Sequence, residues 1–254
     1  MKTIRDKLEG LPSINYLNLF QNKDRVKILE GVFEFAGITN FKGHQFDLFK
    51  YCVHRFEGPR VADMSDHTKG CLSSHLLTIK KWLIDTDEPY TLICEDDFSI
   101  ETVPYWNFTW KEFFGSLPED WECIQLVQIQ EVDYRKMKIH ERGLYDWSTC
   151  CYLIKREYAE RLIKKTINRG IFTLNNDHRA NTVEGVIYET PIGKVYSFPL
   201  FVENSYLGTS AKLTDDYNHS VYDKTRKIHR RCHLHVLDWW KNEGINMNLR
   251  EIRL

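Results

Sequence analysis

The segment Tyr90-Thr91-Leu92-Ile93-Cys94-Glu95-Asp96-Asp97 joins a short apolar run directly to three adjacent carboxylates. A short apolar run of this kind is typical of a strand that is buried on both faces of a parallel sheet. In open α/β sheets, ligands bind beyond the carboxyl ends of the strands. The segment therefore predicts a buried strand that delivers Glu95, Asp96 and Asp97 to a ligand site.

The pattern before this segment predicts an α/β fold. Residues 14–20 alternate apolar and polar side chains, as a strand does. Residues 22–36 carry an apolar stripe at helical spacing and end at Gly37, and residues 38–41 follow as a second strand. We predict further helices at residues 71–84, 108–117, 156–168 and 223–240, and further strands at 123–129 and 195–202. The order strand, helix, strand indicates a Rossmann-like arrangement around a mixed, mostly parallel central sheet.

Composition indicates a globular protein without a general attraction to polyanions. The chain has 254 residues, of which 42% are hydrophobic and 28% charged, and its net charge is -1. We therefore expect no nucleic-acid partner. No segment has the roughly 20 apolar residues of a membrane span, and no signal-type run opens the sequence. The seven cysteines form no regular framework, which favours reduced thiols and a cytoplasmic location.

The C-terminal tail is basic and then aromatic. Lysines and arginines crowd residues 224–231, and Trp239-Trp240 follows. Two interpretations stay open: peripheral contact with an anionic membrane, or a solvated helix that docks its tryptophans on the domain. The second is favoured. We divide the chain into a main domain of residues 1–222 and a helical tail of residues 223–254 that packs on it.

The acidic triplet is the strongest chemical signal in the sequence. Three adjacent carboxylates repel one another unless a cation or solvent intervenes, and oxygen ligands suit Mg²⁺ or Mn²⁺. Strand alternation would point Glu95 and Asp97 the same way, as metal ligands, and Asp96 the other way, towards a bound ligand. A solvated turn that caps the next helix is the alternative. The triplet alone would equally suit a phosphatase or a nuclease.

Several blocks together resemble the lipopolysaccharide-type enzymes of glycosyltransferase family 25, which also includes collagen galactosyltransferases. The blocks are Asn18-Leu19 and Asp24-Arg25 after the first strand, Gly-Cys-x-x-Ser-His at residues 70–75, and the triplet at residues 95–97. Later blocks are Trp121 before a strand, residues 148–154, Val183-Glu184, and Val195-Tyr196. The resemblance spans roughly residues 12–210. It departs from the family at Thr182-Val183-Glu184, where Pro-Val-Asp is usual, and at Ser148-Thr149, where Gly-Thr is usual.

The resemblance implies a nucleotide-sugar domain of the GT-A type with a metal-binding Asp-x-Asp-like motif. It implies a divalent cation, usually Mn²⁺, and a UDP-sugar donor, often UDP-galactose. It further implies inverting transfer to an acceptor hydroxyl on a glycan or glycoconjugate.

The resemblance also implies roles for individual residues on the donor side. Asn18, Leu19 and Arg25 would hold the nucleotide, although Arg25 can instead pair with a nearby aspartate and hold its loop. Asp47 would contact the uridine or the ribose, and Asp96 the donor ribose or sugar.

The Gly-Cys-x-x-Ser-His block would lie near the diphosphate or the donor sugar. Ser74 and His75 carry this role. His75 also fits a buried, hydrogen-bonded core histidine, and Ser73 and Ser74 also fit a helix cap.

An inverting transfer needs a base that takes the acceptor proton. Glu184 is the candidate by family position and Asp177 the second choice. A plain surface carboxylate is the alternative for both. Trp147 and Tyr152 flank a segment that would suit an acceptor wall, although core packing explains them equally well.

Three functions are therefore compared. The first is the glycosyltransferase. The second is a metal-dependent phosphohydrolase or nuclease that uses the same carboxylates. The third is a catalytically inactive member of the family that binds a nucleotide sugar without turnover.

Overall fold

The computed structural model describes residues 2–47, 55–130, 137–175, 182–207, 219–250 and 252. Its helices are α1 (Ile4–Lys7), α2 (Lys23–Ala36), α3 (Asp66–Asp85), α4 (Trp110–Gly115), α5 (Arg156–Thr166), α6 (Val183–Ile187) and α7 (His219–Asn242). Its strands are β1 (Ile14–Leu19), β2 (Phe41–Phe46), β3 (Phe56–Glu57), β4 (Tyr90–Glu95), β5 (Phe98–Ser99), β6 (Cys123–Gln125), β7 (His140–Glu141), β8 (Cys151–Lys155), β9 (Ile167–Asn168), β10 (Ile171–Thr173), β11 (Val195–Ser197) and β12 (Val202–Glu203).

The central sheet of the described residues has seven strands in the order β2-β1-β4-β8-β6-β11-β7. Strands β2, β1, β4, β6 and β11 run in one direction, while β8 and β7 run against them. The sheet is therefore mixed and mostly parallel. The predicted α/β class and sheet type are confirmed.

Alternation along the central strands builds a core on each face of the sheet. Leu92 and Cys94 of β4 pack into one core, with α2 and α7, whereas Ile93 packs into the other, with α3 and α5. Strand β8 alternates in the same way at Leu153 and Tyr152. Because successive side chains of a strand point to opposite faces, an all-apolar strand needs helices on both sides.

Helix α2 ends where its sequence predicts. Gly37 follows its last residue with φ of 72°, in the left-handed region that glycine adopts without a steric cost.

The predicted boundaries of several other elements were wrong. The helix predicted at residues 108–117 spans Trp110–Gly115, the helix predicted to end at residue 168 ends at Thr166, and the strand predicted at residues 195–202 ends at Ser197. The second strand begins at Phe41, not at residue 38, because Ile14 of β1 pairs with Phe41. Helix α3 begins at Asp66, not at residue 71, because the Ser65 side chain accepts a hydrogen bond from the Thr68 amide as its N-cap. Strand β6 ends at Gln125, four residues earlier than predicted.

The tail forms a long helix that packs on the core. Helix α7 begins at His219, four residues before the predicted domain boundary, and its Cys232, Val236 and Trp240 side chains are buried. The Trp240 indole donates a hydrogen bond to the Pro199 carbonyl. The division into residues 1–222 and 223–254 stays a prediction. In the part of the chain that is described, no helix is long and apolar enough to cross a membrane.

Candidate active site

The acidic triplet lies at the carboxyl ends of β1 and β4, beside the inner face of α3. These strands are parallel neighbours, and Leu17 of β1 pairs with Glu95 of β4. A cavity of about 100 Å³ opens there. Of the residues predicted for the site, its lining includes Asn18, Leu19, Arg25, Ser74, Glu95, Asp96 and Asp97. The strand order thus brings together segments that lie up to 79 residues apart in the sequence.

Arg25 neutralises part of the acidic triplet. It stands in the first turn of α2, and its Nη1 lies 2.5 Å from Asp96 Oδ1 and 3.6 Å from Asp97 Oδ2. The side chains of Arg25, Asp96 and Asp97 are all largely buried. Burial lowers the pKa of Arg25, but the charges of Asp97 and Asp96 outweigh it and raise the pKa overall. The carboxylates that Arg25 contacts were not anticipated, since they lie over 70 residues away in sequence.

The predicted opposite orientation of Asp96 and Asp97 was wrong. Both carboxylates reach the same Arg25 nitrogen. The reason is that β4 ends at Glu95 and the chain turns at Asp96 and Asp97, so the alternation of a strand no longer applies.

Asp97 is the least compensated of the three acids. Its Oδ1 is buried and has no hydrogen-bond partner among the residues that the structure describes. Burial raises its pKa well above the usual value, and the negative charges of Glu203, Glu95 and Asp96 raise it further. A buried carboxylate with an unused oxygen among other acids has the donor chemistry of a hard divalent cation. This donor chemistry at Asp97 suits Mn²⁺ or Mg²⁺.

Glu95 is oriented by two neighbours. Thr149 Oγ1 donates to Glu95 Oε1 at 2.8 Å, and His75 Nε2 lies 3.3 Å from the same oxygen. Burial raises the pKa of Glu95, but the hydrogen bonds from His75 and Thr149 lower it overall. The other nitrogen of His75, Nδ1, lies 3.1 Å from the Tyr152 hydroxyl. His75 is fully buried, and its contact with Glu95 orients that carboxylate.

Two residues on α3 were missed in the sequence. Ligand atoms of Cys71, His75 and Glu95 all lie within 4.8 Å of one another, a set that offers sulfur and nitrogen donors as well as oxygen. His67 lines the cavity, and its buried Nδ1 has no hydrogen-bond partner within the described ranges. The signal was available, because residues 67, 71 and 75 are spaced by four and share one face of a helix.

The other residues of the Gly-Cys-x-x-Ser-His block are structural in their contacts. Ser73 and Ser74 each donate a hydroxyl to the Gly70 carbonyl at 2.9 Å. They lie inside α3 and do not cap it, since Ser65 does.

Glu184 lies outside the cavity but is tied to the same site through residues 148 and 149. It stands in the first turn of α6, and its Oε1 accepts a hydrogen bond from the Ser148 amide at 3.1 Å. The next residue, Thr149, donates to Glu95. The predicted base is therefore connected to the predicted metal ligand through two consecutive residues.

The remaining predicted residues are not brought to the cavity. Asp47 follows the end of β2 and is exposed, and it does not line the cavity. Asp177 lies outside the described residues. Tyr152 is fully buried against His75 and cannot form an acceptor wall, whereas Trp147 is 44% exposed.

Comparison with known proteins adds two distant structural similarities. No protein family and no curated protein matches the sequence. Eight chains of solved structures match. One is the galactosyltransferase LgtC in complex with donor and acceptor sugar analogues, at 10% identity and a TM-score of 0.33, over 86% of this chain and 95% of that one. Another is an active-site mutant of LgtC, at 11% identity and a TM-score of 0.30, over the same shares of the two chains. Similarities this distant carry no argument about function. The argument about function rests on the geometry of the site.

Proposed function

We propose that this chain is a metal-dependent glycosyltransferase of the GT-A type, acting on a UDP-sugar donor. The observation that carries the proposal is the buried Oδ1 of Asp97, which no described residue contacts by a hydrogen bond, in a cavity that Glu95, Asp96 and Arg25 also line. A nucleotide diphosphate is negatively charged, so in this site it would pair with both a bound cation and Arg25.

The donor half of the site is built from β1, α2 and α3. When bound by Asp97 and Glu95, Mn²⁺ or Mg²⁺ would neutralise charge on the departing diphosphate. Arg25 is placed to share that task through its planar fork. Asn18 lines the cavity, and its buried Oδ1 has no hydrogen-bond partner in the described part of the chain. We assign it to accept a hydrogen bond from an N–H or O–H group of the nucleotide.

Glu184 is the proposed base for the acceptor hydroxyl. In an inverting transfer, an acceptor hydroxyl oxygen forms a bond to the anomeric carbon while the bond from that carbon to the diphosphate oxygen breaks. The diphosphate leaves with the electron pair, and Glu184 takes the hydroxyl proton. The Ser148 amide, which donates to Glu184 Oε1, fixes the orientation of the carboxylate.

The finer assignments rest on the sequence resemblance. Galactose as the transferred sugar, inversion, a glycan or glycoconjugate acceptor and membership in family 25 belong to the proposal on that ground. The proposed cytoplasmic location rests instead on the seven cysteines without a regular framework, and peripheral contact with a membrane stays the less favoured interpretation of the basic tail. One structural feature supports the resemblance. Ser148 has φ of 104°, which glycine adopts far more readily than serine. Glycine is the usual residue at this position in the family.

Unfolding midpoints with and without UDP and Mn²⁺ test the proposal. A ligand that binds only the folded state stabilises it by about 2.7 kcal/mol at a hundredfold excess over its dissociation constant. We expect a Mn²⁺-dependent rise with UDP in the wild type, lost in Asp97→Asn. The rise should persist in Asp85→Asn, whose carboxylate pairs with Lys42 and Lys81 away from the cavity.

UDP release from UDP-galactose in the presence of sugar acceptors then tests turnover. Binding of Mn²⁺ and UDP without transfer from any UDP-sugar would indicate the inactive, nucleotide-sugar-binding alternative. Hydrolysis of phosphate esters without a UDP-dependent shift would instead indicate the phosphohydrolase or nuclease.

A further inference from the structure

The loop of residues 142–149, between β7 and β8, exposes three large side chains. Leu144 is 61% exposed, Tyr145 64% and Trp147 44%. Scattered apolar residues on a surface are ordinary, but three within four positions form a local patch.

A buried polar network holds this loop from beneath. Asp146 is buried, and its Oδ2 accepts from the Gly143 amide at 2.7 Å and lies 3.1 Å from His140 Nε2. Arg142 Nη2 donates to the Asp146 carbonyl at 2.9 Å, and its Nη1 pairs with Glu189 at 2.8 Å. Buried polar groups with several partners fix one geometry, so the loop is rigid although its tip is exposed.

Gln125 anchors the second half of the loop. Its side-chain amide lies 3.1, 2.9 and 2.8 Å from the carbonyl oxygens of Asp146, Trp147 and Ser148. Ser148, with its φ of 104°, is further held by the Tyr188 hydroxyl at 3.2 Å. A non-glycine residue persists in this region only where its surroundings over-determine it, and such residues cluster at binding sites.

The loop lies between the two halves of the candidate active site. Ser148 donates its amide to Glu184, and Thr149 donates its hydroxyl to Glu95. Trp147 is two residues from Thr149, so their Cα atoms are at most about 7 Å apart. The exposed tryptophan is therefore close in the chain to Ser148 and Thr149, which contact the predicted base and the predicted metal ligand.

We propose that this loop is the acceptor subsite, where the ring of Trp147 stacks on the pyranose ring of an acceptor sugar. The inference rests on the proposed function and adds the class of acceptor. One face of a pyranose presents mainly C–H bonds, and an aromatic face is electron-rich, so the two surfaces attract each other. A loop that is already ordered loses little conformational entropy when a ligand binds. Because this cost is small, even a small ligand that makes few contacts can be held.

The size of the patch favours a sugar over a protein. Three partly exposed side chains offer roughly 300 Å², whereas a stable protein interface buries about 800 Å² on each partner. A pyranose ring matches the smaller area.

Saturation-transfer NMR with methyl β-D-galactopyranoside and methyl β-D-glucopyranoside tests the proposal, in the presence of UDP and of Mg²⁺, which is diamagnetic and does not broaden the ligand signals as Mn²⁺ would. We expect saturation of the ring C–H protons in the wild type and in Trp147→Phe, which keeps an aromatic face. In Trp147→Ala the affinity should fall about tenfold. Phe35→Ala is the control, because Phe35 is 76% exposed on α2, outside the loop.

Nucleotide-induced unfolding shifts on the same samples separate this inference from the proposed function. If UDP and Mg²⁺ bind but neither glycoside gives a signal, or the signal survives unchanged in Trp147→Ala, the acceptor subsite is wrong. If a glycoside binds through Trp147 but no nucleotide shifts the unfolding midpoint, the loop is a sugar-binding site and the proposed transferase function is wrong. If sedimentation shows that Trp147→Ala dissociates a dimer while sugar binding is unaltered, the loop is a contact between copies of the chain and the proposal fails.

Discussion

At the scale of single residues, Asp97 combines a functional role with a cost to stability. It is buried, and its Oδ1 has no hydrogen-bond partner among the residues described. Burial, and then the charges of nearby acids, raise its pKa well above the usual value. When the pKa of a carboxyl is higher in the folded than in the unfolded protein, the protein loses stability as the pH rises from the unfolded-state pKa through the folded-state pKa. Without a cation, Asp97 therefore destabilises the protein at neutral pH.

We predict that Asp97→Asn raises the stability of the metal-free protein, by about 1–2 kcal/mol. The substitution removes the charge and keeps the shape of the side chain. Urea unfolding at pH 7.5 in the presence of a chelator measures the change. The same variant should gain nothing from Mn²⁺, whereas the wild type should. A metal-free Asp97→Asn protein that is less stable than the wild type would contradict this view of the site.

Ser148 provides a second test at this scale, because it isolates backbone strain from hydrogen bonding. Ser148 Oγ accepts from the Cys150 amide at 3.1 Å, and both Ser148→Gly and Ser148→Ala remove that bond. Only glycine relieves the positive φ. We expect the glycine variant to be more stable than the alanine variant by about 1 kcal/mol in chemical denaturation. Equal stabilities would mean that residue 148 is not strained.

At the scale of elements, a buried histidine side chain links β1 and β2. His44 of β2 is buried, and its Nε2 lies 2.9 Å from Asn15 Oδ1 of β1. Burial, and then the charges of Lys42 and Lys81, lower the pKa of His44 to about 4. Between the ordinary histidine pKa of about 6.5 and this lower value, only the unfolded chain takes up the proton. Stability therefore falls as the pH falls through this window.

We predict that His44→Gln removes much of this acid sensitivity, since glutamine can donate to Asn15 and does not titrate. Between pH 7 and pH 4.5 the wild type should lose on the order of 2 kcal/mol more than the variant. Urea unfolding across this pH range measures both curves. Parallel curves would show that His44 is not the titrating group.

Local patterns predict the elements better than they predict the contacts between them. The apolar run before Glu95 predicts β4, and the stripe ending at Gly37 predicts α2, because both signals lie within one element. The start of β2 depends on its pairing with β1, and the start of α3 on the Ser65 cap, so apolar pattern alone misplaces them.

The same limit applies to the candidate site. The acidic triplet stands out in the sequence, and a parallel sheet predicts that it lies near Asn18. The contact of Arg25 with Asp96 links residues 71 positions apart, and no local pattern encodes it. The bond from Thr149 to Glu95 requires β8 to pair with β4 in antiparallel register, which only the strand order reveals.

At the scale of the whole molecule, α7 closes the aromatic core on one face of the sheet. Trp240 is fully buried, and its ring lies close to those of Trp106, Phe108 and Phe198. Its helix also supplies His229, which lies 2.9 Å from Glu203. Glu203 is one of the charges that raise the pKa of Asp97. The packing of the tail and the electrostatics of the site are therefore linked through α7.

This arrangement predicts that the tail unfolds together with the rest of the chain. Trp240→Ala should destabilise the molecule by about 3–5 kcal/mol, because a large buried ring is lost and a cavity remains. Leu234→Ala is the matched control, since Leu234 is 46% exposed on the same helix and its loss should cost no more than about 0.5 kcal/mol. Calorimetry of both variants should show one transition, shifted only in Trp240→Ala. If instead Trp240→Ala splits off a separate early step and leaves the main transition in place, residues 223–254 form a unit that the rest of the fold does not need.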